Sequence, residues 1–515
     1  MNKKQIIILV ILILAIAGFF RLWQLDSIPP GLYPDEAMNG NNAIEAMKTG
    51  QYKLFYPENN GREGLFINLQ ALSLKIFGIN VLSLRLVGAL IGILTVLGLY
   101  FLTKELFYST SIALLSAFFL AISFWHVNFS RIGFRAIMVP FCLVWSFYFL
   151  FKVINLPPEK RKNLPSLICL ILSGIFFGLG FHTYIAFRMA VIILIIPFLM
   201  IVLRFFKEYK TSGRFLKTFF KNGFWQYKIW ALTVILVALP MGLYFLHNPQ
   251  DFVGRAGGVS VFAQENPVKA LFISAAKTLG MFNISGDFNW RHNFSGSPQL
   301  FWPVGILFLI GFVVSVKELI NRRVIYSLLI VWFFVMLLPA VLTAEGLPHA
   351  LRTIGVIPIC YIFAGLGAYK LYKFLYKPRV LIVCLLFLAI CACAQYDKYF
   401  IKWAKQPEVE DAFTKTYVDI GNYLNSLPLE TARYVIVNQP GVLVNNIPMP
   451  AQTVMFIASG QNTKYLLPGE IDEIKSADKL VVIPLQYDQE IFRKLKEKFP
   501  QGEIKSQENF WLFEI

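Results

Sequence analysis

Charge is scarce in this 515-residue sequence: Asp, Glu, Lys and Arg together make up 15% of it, against about a quarter in an ordinary soluble domain. That shortage excludes a string of water-soluble domains. Histidine is rarer still, at five residues, and the six Cys (142, 169, 360, 384, 391, 393) all sit in apolar stretches. With no Cys in a polar loop, no disulfide framework is implied. No internal repeat or low-complexity tract is evident either. What fills the sequence is apolar: 57% hydrophobic and 16% aromatic residues, including 49 Phe. The composition is that of an integral membrane protein.

About 20 apolar residues cross a bilayer as a helix. Eleven such runs are expected, at 5–22, 83–102, 110–126, 137–154, 166–182, 189–206, 229–246, 299–316, 324–343, 353–370 and 379–396. The first run, with Lys3, Lys4 and Ala15-Ile16-Ala17, also has the make-up of a cleaved signal peptide. Its continuation through Phe19 and Phe20 to Trp23 favours a span.

The formal net charge of +18 and pI near 9.5 would suit a nucleic-acid partner only if the bases clustered on one face. They do not. Lys3, Lys4, Lys104, Lys152, Lys160, Arg161, Lys162, seven bases from Arg204 to Lys228, Lys317, Arg322, Arg323, Lys370, Lys373, Lys377 and Arg379 fall in alternate short loops, against four acids (Glu105, Glu159, Glu208, Glu318). By the positive-inside rule those loops are cytoplasmic. The expected topology is a multi-pass protein of the cytoplasmic membrane, with its N-terminus inside and no nucleic-acid partner.

The expected fold is therefore mainly α and polytopic, with a transmembrane domain over 1–396 and a small soluble α/β domain over 397–515 on the external side. External loops take up 23–82 and 247–298. In the tail, Arg433–Asn438 and Lys479–Pro484 read as strands and Asp488–Phe499 as an amphipathic helix. In the first loop, Glu36–Lys48 and Leu65–Phe77 have helical periodicity. They fit either helices lying on the bilayer surface or a small loop subdomain.

No Asp, Glu, Lys, Arg or His is expected near the middle of a span, where a charge would mark an ion path. The polar chemistry collects outside. All five His (126, 182, 247, 292, 349) lie there, with Arg131, Arg135, Arg188, Arg255, Arg291 and Arg352. The acidic pair Asp35-Glu36 follows the turn-rich Pro29-Pro30-Gly31-Leu32-Tyr33-Pro34 and opens a helix. Such acids cap helix N-termini, and a capped carboxylate is also held still for use as a base. Arg62 and Glu63, between Gly61 and Gly64, read as an exposed polar tip holding a loop ion pair or touching an acceptor. Gly254 to Gly258 and Gly280–Asp287 suit a flexible cover, with Asp287 and His292 as lid or acceptor candidates. Neither glycine stretch has the spacing of a nucleotide-phosphate loop.

Pro34-Asp35-Glu36-Ala37, followed by Gly50, Asn60-Gly61, Phe77-Gly78 and Arg85-Leu86, resembles the opening of the GT-C membrane glycosyltransferases. More narrowly it is similar to the protein O-mannosyltransferase and aminoarabinose-transferase group, which take sugars from polyprenyl-phosphate donors. The likeness covers roughly the first two hundred residues, and more loosely Pro348–Arg352 and Tyr399–Trp403. It implies an inverting transferase acting on a protein, lipid or cell-wall glycan acceptor at the external face. Asp35 would be the base, with Glu36 contacting the acceptor or supporting Asp35. Arg131, Arg135, Arg188, Arg352 and His349 would be candidates for the lipid phosphate.

The chemistry is consistent with this. A phosphate is already a good leaving group, so one base and some positive charge suffice, whereas a glycosidase normally uses two carboxylates. Several relatives carry a further acid after the third span, but His126–Arg131 has none. A divalent metal, held for instance by Glu63 and His292, stays open without a ligand spacing to argue for it. The alternatives are a non-catalytic lipid-carrier flippase and a membrane-anchored protein that binds through its tail.

Overall fold

The computed structural model describes residues 2–161, 163–209, 225–253, 258–321, 323–375 and 380–515. Lys162, the bases between 210 and 224, Gly254 to Gly257 with Arg255, Arg322, Lys377 and Arg379 lie outside the described residues. The chain groups into two units: Met1–Trp23, Glu63–Phe66 and Gly88–Ile401; and Gln24–Arg62, Ile67–Val87 and Lys402–Ile515.

The first unit is helical and apolar. Nine helices among the described residues are long and apolar enough to cross a membrane, ten if one bent pair counts as a single span. They include α1 (Lys3–Leu22); α2 (Pro34–Thr49) and α3 (Gly64–Phe77) are shorter or more polar, and α4 (Val81–Phe107) is the longest of the spans. The bent pair is α5 (Thr110–Ala121) and α6 (Phe124–Arg131), which meet at 56°. Ser123 makes the break: its hydroxyl accepts the His126 N–H and caps α6, a helix-start signal inside an apolar run.

The break leaves the last carbonyls of α5 without partners in their own helix. Arg21 of α1 supplies them, donating to the Leu120 and Ala121 carbonyls and reaching His126 Nδ1 at 2.7 Å. The run expected at 166–182 is the helix Leu164–Gly180, at 17 residues shorter than the spans. Every expected run is thus helical, but eleven unbroken crossings is not what the lengths give. Two later spans, Trp302–Ile320 and Ile357–Phe374, pack backbone to backbone. A Cβ at Gly311 would fall inside the Phe363 carbonyl, the close approach small residues allow in membrane helices.

The second unit holds α2, α3 from Ile67 onward, the short strand β1 (Phe55–Tyr56) and the tail; β2 is Arg62–Glu63. α2 is not a surface helix. Ala37, Ala43 and Ile44 are buried with Tyr56, Ile67, Ala71, Leu74 and Leu84, and with Phe456 from the tail. Both helices of the first loop contribute to this core, while α3 leaves Leu72, Ile76 and Phe77 exposed.

The tail's strands are β3 (Ala432–Ile436), β4 (Leu443–Val444), β5 (Ile447–Pro448), β6 (Thr463–Leu466), β7 (Leu480–Pro484), β8 (Glu503–Ser506) and β9 (Trp511–Glu514). Five form one sheet in the order β6-β3-β7-β9-β8, parallel across β6-β3-β7 and antiparallel beyond. Its inward residues alternate. Val435, Val481 and Ile483 face a core with Ile420, Leu424 and Val454. Tyr434, Ile436 and Val482 face the helix Gln489–Lys498 through Ile491, Phe492 and Leu495. The tail is thus an α/β layer structure, as its sequence indicates.

Candidate functional site

α2 begins at Pro34, whose fixed φ and missing N–H suit a first helical position, and places Asp35 and Glu36 in the first turn. The two acids are in different circumstances. Glu36 is fully buried, and its Oε1 takes the Nε–H of Arg85 at 2.6 Å, with both side chains excluded from solvent. The same guanidinium donates to the carbonyls of Leu25, Pro29 and Gly31, so Arg85 ties the turn before α2 to the acid inside it. Asp35 is only partly buried, and its Oδ1 accepts from Asn59 Nδ2 at 2.6 Å.

The turn is also held from the tail. The Leu32 carbonyl accepts the hydroxyls of Thr414 (2.9 Å) and Thr453 (2.8 Å). Gly31, at φ +76°, lies so close to the Phe413 carbonyl that no Cβ would fit. Asn41 Nδ2 donates to the side-chain and backbone oxygens of Gln452. Met38, one turn beyond Asp35, is buried against Val444 and Met449.

Arg62 and Glu63 are not an exposed tip; both are 3% exposed. Arg62 donates to Asn39 Oδ1 and Asn42 Oδ1 at 2.7 Å each, on α2, and lies over the Tyr56 ring. Glu63 instead pairs with Arg135, Nε to Oε2 at 2.6 Å. The sequence showed these residues but not their partners, because pairs so far apart in sequence leave no periodic trace.

Among the other basic residues of the first unit, Arg135 also sits over the Tyr184 ring at 5.5 Å. Arg188 is half-buried, donating to the Phe252 carbonyl with its guanidinium 4.2 Å from the Phe252 ring centre. Arg352 reaches Thr343 Oγ1 and the Glu345 carbonyl. Arg131 is fully buried, with donors on the Phe20 and Trp23 carbonyls and its charge over Phe400.

A second cluster joins residues that the sequence left apart. Asp287 Oδ2 meets His292 Nδ1 at 3.0 Å and His349 Nδ1 at 3.9 Å, and accepts the Ala350 N–H at 2.8 Å. Burial pushes the Asp287 carboxyl up. The His292 hydrogen bond, the charges of His292 and His349 and the Asn289 N–H outweigh this and hold it below the usual carboxylate range. Ligand atoms of the three residues lie within 4.8 Å of one another. One carboxylate and two imidazoles are a donor set suited to a borderline divalent ion such as zinc. Around them, Asn293 bonds the Asp287 and Ser297 carbonyls, and Gln299 and Leu300 N–H groups bond Met281 and Phe282. The Gly280–Asp287 stretch is therefore cross-linked scaffold rather than a loose cover.

Residues 65–246 match the family model described as dolichyl-phosphate-mannose-protein mannosyltransferase. No curated protein sequence matches the chain. Among solved structures the chain is similar to ArnT from Cupriavidus metallidurans bound to undecaprenyl phosphate, with TM-score 0.58 and 11% identity over 100% of this chain and 98% of that one. It is also similar to the oligosaccharyltransferase AglB from Archaeoglobus fulgidus in complex with an inhibitory peptide and a dolichol-phosphate (TM-score 0.52, 15% identity, 93% and 69% covered). The Archaeoglobus fulgidus oligosaccharyltransferase in its apo form gives TM-score 0.51 at 14% identity, over 90% of this chain. The chain spans 64% of that oligosaccharyltransferase's length. At such identities the likeness is one of fold.

Proposed function

We propose that this chain, which has the fold of the GT-C glycosyltransferases, is an inverting enzyme. It moves a sugar from a polyprenyl-phosphate donor to an acceptor outside a cytoplasmic membrane. The observation that carries the reading is the unequal pair at the start of α2: Glu36 spent on Arg85, Asp35 partly open. Two adjacent acids of equal standing would suggest a cap; this pair separates a brace from a usable base. The solved relatives bound to undecaprenyl phosphate and dolichol-phosphate support the lipid-linked donor.

In this reading Asp35 takes the proton of an acceptor hydroxyl or amine. The freed oxygen or nitrogen attacks the anomeric carbon while the carbon–oxygen bond to the phosphate breaks, and the electron pair leaves with the polyprenyl phosphate. Attack opposite the leaving group inverts the centre. Asn59 holds the Asp35 carboxylate in one orientation. Glu36 supports Asp35 through Arg85 rather than touching the acceptor.

The departing phosphate calls for guanidinium groups that can be reached, since their planar fork matches phosphate oxygens. Arg135, Arg188, Arg352 and His349 are the candidates for it. Arg131, with its donors on carbonyls, braces helix ends. Arg62 orders α2 through Asn39 and Asn42. A divalent ion, where the enzyme uses one, would be held by Asp287, His292 and His349 and would add positive charge for an oxyanion.

The test is transfer from a radiolabelled polyprenyl-phosphate sugar by membranes carrying wild type or Asp35→Asn. Loss of transfer in the variant is expected. Equal transfer by both would take Asp35 out of the mechanism.

A further inference from the structure

The tail sheet reverses its winding at β3. From β3 the chain passes to β6 on one side and then crosses back to β7 on the other. In open α/β sheets the loops leaving the two strands at such a reversal part at the carboxyl ends, and ligands bind there. Here those loops are Val437–Gly441 after β3 and Leu485–Asp488 after β7. Asn438 joins them: its Oδ1 accepts the Gln486 N–H and its Nδ2 donates to the Gln486 carbonyl. Because β9 runs antiparallel to β7, the β8–β9 turn, closed from Gln507 N–H to the Phe510 carbonyl, arrives at the same end. The floor is lined with amide groups.

Beside it stands a ladder of three rings. Phe492 is 2% exposed; Tyr487 packs on it with centroids 5.5 Å apart and ring planes at 35°. Trp511 follows, 5.3 Å from Tyr487 at 60°. The outer rings are open to solvent, Tyr487 at 59% and Trp511 at 41%. The buried phenyl ring thus braces an angled pair of exposed aromatic faces from beneath.

The charge around them restricts what they can hold. No Lys or Arg occurs in 436–448, 484–492 or 506–513, whereas Asp488, Glu490 and Glu508 do. Glu490 is paired with Lys494, and with Asp488, Glu508 and no base on these loops a phosphate, an acidic polymer or an anionic bilayer finds no counter-charge there. Exposed aromatic faces next to side-chain and backbone amides suit a ligand with apolar C–H faces and many neutral hydroxyls. We propose that Tyr487 and Trp511, with the amides of Asn438, Gln486 and Gln507, form a binding site for neutral glycans. The rings stack on sugar faces and the amides take the hydroxyls.

This site does not depend on the transfer reaction, and its test keeps the two apart. The full chain in nanodiscs is titrated with three neutral hexasaccharides, α-manno, α-gluco and β-gluco configured, and saturation transfer to sugar protons is followed by NMR. At least one should bind. Tyr487→Ala and Trp511→Ala should each weaken it about tenfold, a typical scale for one aromatic pair. Tyr487→Phe and Asp35→Asn should leave it unchanged.

Absence of transfer to all three sugars overturns the proposal, as does binding indifferent to both alanine variants. In nanodiscs of brominated phosphatidylcholine, Trp511→Phe should not alter lipid quenching of tryptophan fluorescence. If it does, the rings rest on the bilayer and the proposal falls.

Discussion

Glu36 and Asp287 are both buried carboxylates, and the molecule compensates them differently. Glu36 faces Arg85, whereas Asp287 faces His292 and His349. A guanidinium offers a planar fork of N–H donors and no acceptor, while an imidazole nitrogen can donate, accept or ligate an ion. The first arrangement is a permanent brace, and it leaves the neighbouring acid, Asp35, available. The second is an acid set between two imidazoles whose atoms can hold an ion. Chemistry that needs a fixed base suits the first; holding an ion suits the second.

Removing Arg85 should break this contrast most sharply. Arg85→Met strands a buried carboxylate and three carbonyls, and losses of about 3–5 kcal/mol are usual when one member of a buried pair is deleted. Thermal unfolding in detergent should show a collapse in folded protein, partly restored in Arg85→Met with Glu36→Met. A single variant as stable as wild type would mean that the pair is no brace.

Asp35→Asn should cost transfer about 10²–10⁴-fold, the range for a general base. Stability should move by no more than about 1 kcal/mol, measured by the same unfolding assay beside the transfer assay. If both acids lose activity only through unfolding, the division of labour between them fails.

Asp287 sharpens the other side. Its folded carboxyl lies below the ordinary range, so it adds stability above the unfolded value and gives it up as pH falls through the folded one. Asp287→Asn should therefore be less stable than wild type at neutral pH, the two converging in acid. A pH series of melting temperatures would show this, and a constant gap would refute it. The smallest effect is expected at the tail: Thr453→Val removes one hydroxyl from the Leu32 carbonyl and should cost about 1 kcal/mol. Thr414→Val with Thr453→Val should cost more than either alone, since both serve one acceptor.

What was legible in the sequence follows from which interactions are local. β3 and β7 are apolar runs, and Gln489–Lys498 shows a helical stripe behind its Asp488 cap, so all three could be read. β8 could not, because as an edge strand all four of its residues are exposed and nothing alternates. The break between α5 and α6 was signalled only by Ser123 in an apolar run. In the site, Asp35-Glu36 stood out through its turn and its place before a helix. Arg85 was visible as a residue but not as the partner of Glu36, 49 positions away. Likewise Asp287 and His349 meet only in the folded chain, which is why no ligand spacing could be found. Nor did the sequence indicate that α2 would share a core with Phe456.

That Leu32 carbonyl bears on how the protein is made. Its two hydroxyl partners, Thr414 and Thr453, lie 382 and 421 residues later. During synthesis the first loop emerges early, yet its turn waits for the last fifth of the chain before its bonds can close. Contacts of such long sequence separation form late in folding. The Leu32 carbonyl therefore gains its hydroxyl partners only once Thr453 has been made, whereas Glu36 and Asp35 find Arg85 and Asn59 far earlier in the chain. Fragments released before that point would carry both acids without the Thr414 and Thr453 hydroxyls on the Leu32 carbonyl.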